Sequence, residues 1–175
     1  RLLDAGGRDA VARGQSFLDR VTARADSLLG CGDDPRPEAC RVTRRYRMHA
    51  VRVLPQTAVF ARLLYGIERA VDDPRVEAVD MVAPEDHRVA LRNYDRHLQM
   101  LSFLRRAAGT DADGDSVHVG LHAGELTTGL VPPEHLRDHV WDALTIAGAD
   151  RVGHAVDVGT ERDTRALLNR MRRDE

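Results

Sequence analysis

The segment HAGE (122–125) ends a run of alternating apolar residues with an imidazole and places a carboxyl group three positions further on. His154 closes the short run RVGH (151–154), His49 lies in RRYRMHA (44–50), and a polar cluster from Ala83 to Asp86 follows VEAVDMV (76–82). Imidazoles hold metals or move protons near neutral pH, and a carboxyl group can act as a general acid. All these groups fall at or just past the ends of segments that read as β-strands. Chemistry gathered at strand ends is the pattern of a parallel barrel, whose active site lies at the carboxyl-terminal mouth.

The strand that positions His122 is the clearest. In SVHVGLHAGEL (116–126), Val117, Val119 and Leu121 share one face, and His118, Gly120 and His122 share the other, because side chains alternate along a strand. In a sandwich the small, polar face would meet water; in a closed barrel it would meet the lumen, and His122 would point at a substrate.

Helical stripes separate the strands. Val11, Leu18, Val21, Ala25 and Leu28 recur with helical spacing over Asp9 to Leu29, and Gly30 ends that stripe. CRVTRRYRMHA (40–50) reads as a strand, and Pro55 opens a helix through Val59, Phe60, Leu63, Leu64 and Ile67. RVEAVDMVAPED (75–86) is a second strand, feeding a helix with Leu91, Tyr94, Leu98 and Leu101. The loop GTDADGD (109–115) and the HAGE strand follow. A helix over PPEHLRDHVWDALTIAG (132–148) then carries Leu136, Val140, Leu144 and Ala147 on one face. RVGHAV (151–156) is a fourth strand, and Thr160 with Asp163 caps a last helix through Leu167, Leu168 and Met171. Repeated strand and helix units imply an α/β fold with a parallel sheet, either doubly wound and open or part of a β/α barrel.

Composition narrows the partners. The 175 residues carry a formal charge of −2, and all 26 basic residues are scattered arginines, so no basic patch would recruit nucleic acid. No apolar run is long enough to span a membrane. Cys31 and Cys40 bracket the turn-rich GDDPRPEA, and read by spacing alone they are either free thiols or a bridge closing a short loop.

HAGE (122–125) and RVGH (151–154), in order and at the right separation, resemble two motifs of the adenosine deaminases, metal-dependent hydrolases built on a (β/α)8 barrel, and VDMVAPED (79–86) before them resembles a third, a substrate-contacting strand end. The cysteine loop, CRVTRRYRMHAVRVLP and LTTGLVPPEHL are similar to exported bacterial members related to the extracellular growth-factor-like deaminases. The resemblance covers the chain from about residue 30 onward. It implies that residues 1–175 are the central part of one barrel, strands four to seven preceded by a helix, and that the whole protein is periplasmic or secreted with Cys31 joined to Cys40.

By position, the resemblance makes His122 a zinc ligand, Glu125 the acid that protonates the purine ring, and His154 the histidine that orients and deprotonates the attacking water. Ala83 and His49 become substrate contacts. One zinc ion is the implied cofactor, supplying hydroxide near neutral pH, and the implied substrate is a purine nucleoside, adenosine or 2′-deoxyadenosine. Ala83 and Ala155 stand where the family has glycine. The family's H-x-H ligand pair does not occur among the eight histidines, and Asp33-Asp34 and Asp72-Asp73 precede the HAGE strand where the family's Asp-Asp pair follows it. Those ligands are therefore expected from outside residues 1–175, and the 175 residues alone are expected to be inactive.

Other readings remain: a deaminase of another aminopurine compound, or an inactive relative that binds nucleosides or signals. His135 and His139, one helical turn apart in HLRDH, have metal-binding spacing but lack the glutamate of H-E-x-x-H and are expected to face solvent. The H-x-E and P-C-x-x-C signature of base-flipping deaminases, a Walker loop and G-x-G-x-x-G after a strand do not occur.

Overall fold

A computed structural model describes residues 3–109 and 117–172. Ser116 and most of the loop at 109–115 lie outside the described residues. Four parallel strands, β1 (Tyr46–Val51), β2 (Val76–Val82), β3 (His118–Ala123) and β4 (Arg151–His154), form one sheet in sequence order. Helices α1 (Ala5–Leu28), α2 (Gln56–Asp72), α3 (Arg88–Ala108), α4 (His139–Thr145) and α5 (Thr164–Met171) precede and follow them. The α/β class and the repeated strand and helix unit are thus observed. A parallel sheet in sequential order, with β1 and β4 at its edges, is compatible with a segment of a β/α barrel.

The core lies between the sheet and α2 to α4. Ala50, Val79, Met81, Val119, Leu121 and Ala123 turn one way and pack against Val59, Leu63 and Ile67 of α2, Tyr94, Leu98, Leu101 and Leu104 of α3, and Ala143 of α4. Burial of these side chains is the main stabilisation, worth about 1.5–3 kcal/mol for each large apolar group. The opposite face carries Arg47, His49, Asp80, His118, Gly120 and His122, so the alternation in the HAGE strand does separate apolar from polar.

Several elements are shorter than the periodicity predicts. The first strand begins at Tyr46 because Glu38–Arg41 forms a 3-10 turn. β2 ends at Val82, before Ala83 at φ 104, and β4 ends before Ala155 at φ 50. The helix expected over 132–148 is divided: Pro133–Leu136 is a 3-10 turn whose Leu136 joins Leu126 and Val131 in a small separate cluster, and the α-helix restarts only at His139. His139 is consequently buried and stacked on Tyr94, ring centroids 4.0 Å apart, which corrects its expected solvent exposure. The first helix starts at Ala5 and touches mainly α2, so Val21 and Leu28 of its stripe stay exposed. Asp163 caps α5 by accepting the Ala166 N–H, while Thr160 belongs to the preceding 3-10 turn.

The two cysteines form a disulfide, Cα atoms 5.6 Å apart, tying the end of α1 to the turn before β1. Among the described residues no helix is long and apolar enough to cross a membrane.

Candidate active site

β1 and β2 pair from end to end apart from a register shift between Tyr46 and Arg47, but β2 and β3 pair only at Ala78 with His118 and Val79 with Val119. Beyond that point the ladder opens, and buried backbone groups left by such an opening need other partners. Two side chains supply them. Asp80, fully buried in mid-strand, accepts the N–H groups of Met81 (2.6 Å) and His122 (3.0 Å) on Oδ1. Arg52, just past β1, donates from Nη2 to the carbonyls of Met81 (2.5 Å) and His122 (2.7 Å).

The second oxygen of Asp80 lies 2.6 Å from His122 Nδ1. A carboxylate on Nδ1 fixes the ring and directs Nε2 outward as an electron-pair donor, the usual arrangement behind a metal-bound histidine. His49 approaches the same carboxylate, Nε2 to Oδ2 3.7 Å, and its ring stands 6.5 Å from that of His122. Arg47 lies 3.5 Å from Asp80 and crosses above Gly120, where a Cβ would meet its guanidinium carbon at 3.1 Å.

His154 pairs in register with Ala123, one position past His122, so simple alternation would place its side chain on the helix face. The left-handed backbone at His154 (φ 76) and Ala155 breaks that alternation. The His154 ring comes within 5.3 Å of His122, and its Nε2 within 3.7 Å of Glu125 Oε2. Neighbouring strands therefore bring His122 and His154 together as their sequence positions imply, by way of a strained turn.

Glu125 is placed by Glu85, whose two oxygens accept the N–H groups of Gly124 (3.2 Å) and Glu125 (2.5 Å). Glu85 Oε1 in turn lies 3.2 Å from Arg52 Nη1, an ion pair buried on both sides. One arginine thereby links the ends of β1, β2 and β3. Ala83 ends β2 at a φ that side chains rarely adopt, and such strain, about 1–3 kcal/mol, persists only where the surroundings enforce it. The three non-glycine residues with positive φ among the described residues, Ala83, His154 and Ala155, all lie at this rim.

Beneath the rim, burial shifts several groups. Asp157 is pushed up to about 6 by burial and then by the Glu85 charge, and Glu161 to about 7 by burial, although the Val140 and Trp141 N–H groups oppose the rise. His97 and His139 are lowered, chiefly by burial.

The structure thus gathers His49, His122, Glu125 and His154 at one end of the sheet, with Ala83 at the adjacent end of β2. Cys31 and Cys40 are away from it, in their bridge. The supporting roles of Arg52 and Asp157 escape sequence reasoning; Glu85 falls within the polar cluster read at the end of the second strand, and Asp80 stands out as an acid within an otherwise apolar strand. His122 fits the role of one metal ligand, backed by Asp80, but among the described residues no group of three or more His, Cys, Asp or Glu side chains could hold a metal ion. No protein-family model, curated protein or solved structure matches the chain.

Proposed function

We propose that this chain carries the acid, the base and one metal-binding histidine of a zinc-dependent hydrolase that deaminates adenosine or 2′-deoxyadenosine to the inosine product and ammonia. The observation that carries the reading is the pairing of two arrangements on adjacent strand ends: His122 oriented by buried Asp80, and His154 within 3.7 Å of Glu125. The resemblance of VDMVAPED, HAGE and RVGH to deaminase motifs adds the substrate class. A zinc ion held by His122 and by ligands from outside residues 1–175 would make water acidic enough to ionise near neutral pH.

The chain's own groups account for the proton movements. Glu125, as the acid, gives its proton to the ring nitrogen as water oxygen bonds to the carbon bearing the amine. His154 takes a proton from that water and returns it to the departing amine, which leaves as ammonia when the carbon–nitrogen bond breaks. The new hydroxyl proton goes to Glu125, restoring it as the ring carbonyl forms. Ala83, through its backbone N–H, and His49 would contact the purine nucleoside from the ends of β2 and β1.

Glu125→Gln in the whole protein should leave zinc stoichiometry intact and abolish the loss of adenosine absorbance; near-normal turnover would refute the assignment. The Cys31–Cys40 bridge supports an oxidising, periplasmic or secreted location, checked by titrating thiols in unreduced, unfolded protein from its native compartment, where two free thiols would count against export.

A further inference from the structure

The turn after β4 holds a buried carboxyl group that the proposed reaction does not use. Asp157 is 3% exposed, and neither of its oxygens has a hydrogen-bond partner on another residue; only its own N–H eases the charged form. Burying such a group costs free energy because its water is lost and little replaces it. What it touches explains its place. A Cβ on Gly124 would stand 2.4 Å from Asp157 Oδ1, 2.7 Å from Val140 Cγ2 and 3.0 Å from Ala155 Cα. Gly124 is left-handed at φ 77, and its carbonyl accepts the N–H groups of Val156 (2.7 Å) and Asp157 (3.3 Å).

Gly124 is the joint between β3, which ends in His122 and Ala123, and Glu125. Glu85 holds this joint through the Gly124 and Glu125 amides, and Asp157 presses on it from the turn after β4. That turn begins with His154 and Ala155 and is itself pinned to the end of β3 by the Ala155 N–H on the Ala123 carbonyl at 2.9 Å. One side chain therefore bears on the hinge that aims Glu125 and belongs to the turn that aims His154.

We propose that Asp157 is a positioning residue whose carboxyl group, wedged against Gly124, fixes the separation of Glu125 from His154. The catalytic consequence rests on reading those two as acid and base; the geometric claim does not. The Glu85 charge at the end of β2, itself paired with Arg52, raises Asp157, and an Asp157 charge in turn raises Glu161 and the Tyr94 hydroxyl. The uncharged acid can sit against this acidic set, whereas its anion is repelled. With its midpoint raised to about 6 by burial and by Glu85, the wedge is tight below that pH and loosens above it.

The test uses the whole protein freed of metal and the NMR signals of the His154 ring and the Glu125 side chain. With their polar ends 3.7 Å apart, these two should give a nuclear Overhauser effect in the native chain. Asp157→Asn, of the same shape, should preserve that effect, and Asp157→Ala should lose most of it. The full effect in the Ala variant overturns the proposal. If the Ala variant does not fold, the Asn variant decides: the Gly124 and Glu125 amide signals should move with a midpoint near 6 in the native chain and lose that movement in Asp157→Asn. Identical movement in both overturns it. Because these readouts need no turnover, a chain that behaves as expected while the whole protein deaminates nothing refutes the reaction and leaves the positioning role standing.

Discussion

The two faces of the sheet hold together by different physics. On the helix side, Val79, Met81, Val119 and Leu121 interdigitate with α2 and α3, and their stability is spread over many weak contacts. On the open side and at its rim, a few polar groups each do several jobs: Asp80 completes two amides and orients His122, and Arg52 completes two carbonyls and neutralises Glu85. A distributed core degrades gradually when one residue is trimmed. A polar hub fails abruptly, because removing one partner strands the others without water.

The largest expected effect is therefore at Arg52. Arg52→Met leaves Glu85 as a buried, unpaired charge and two carbonyls without donors, and should cost about 3–5 kcal/mol in urea unfolding. The double variant Arg52→Met with Glu85→Gln should recover part of that loss; additive losses would mean that the ion pair is not the hub described. Leu121→Ala, fully buried on the other face, should cost about 2–5 kcal/mol. His118→Ala, on the same strand but exposed, should stay within about 0.5 kcal/mol. Equal costs at these two positions would erase the distinction between the faces.

Those contrasts also mark what was legible in the sequence. Period-two spacing in the HAGE strand and helical spacing in α2 and α3 locate the core, because burial on one face is a local, repeated signal. Where a segment answers to partners distant in sequence, spacing fails. The helix at 132–148 breaks because Leu136 is drawn to Leu126 and Val131, and His139 is buried because α4 restarts with that ring on Tyr94. The site histidines and Glu125 stand out by type and place, at strand ends. Arg52 does not, since nothing local distinguishes a hub arginine from the other arginines; Glu85 is visible as part of the polar cluster after the second strand, but its tie to Arg52 exists only once three strand ends meet.

The buried acids give a difference in pH response. Folded midpoints near 6 for Asp157 and near 7 for Glu161 exceed the ordinary carboxyl values of 3.8 and 4.5, so the folded chain binds more protons than the unfolded chain between those limits. Their contribution is fully present below about pH 4 and is lost as pH rises through 6 and 7. Asp157→Asn with Glu161→Gln should gain stability relative to the native chain as pH rises from 4 to 8, measured by urea unfolding. Comparing variant with native cancels the opposite dependence of buried His97 and His139. A difference independent of pH would show that these carboxyl groups are hydrated or paired in solution.

The smallest effect concerns backbone strain, and its sign distinguishes the rim from the core. Ala83, at φ 104, adopts a conformation that glycine enters without penalty, so Ala83→Gly relieves strain worth about 1–3 kcal/mol. Glycine also widens the conformational freedom of the unfolded chain, which takes back about 0.4–1 kcal/mol. The net should be a gain of roughly 0.5–1 kcal/mol in urea unfolding. Ala50, fully buried within β1, offers no such strain to relieve; Ala50→Gly loses a packed methyl group and adds unfolded-state entropy, and should cost about 1 kcal/mol or more. A loss at both positions would mean that Ala83 is held comfortably, and that the rim, like the helix face, is shaped by packing alone.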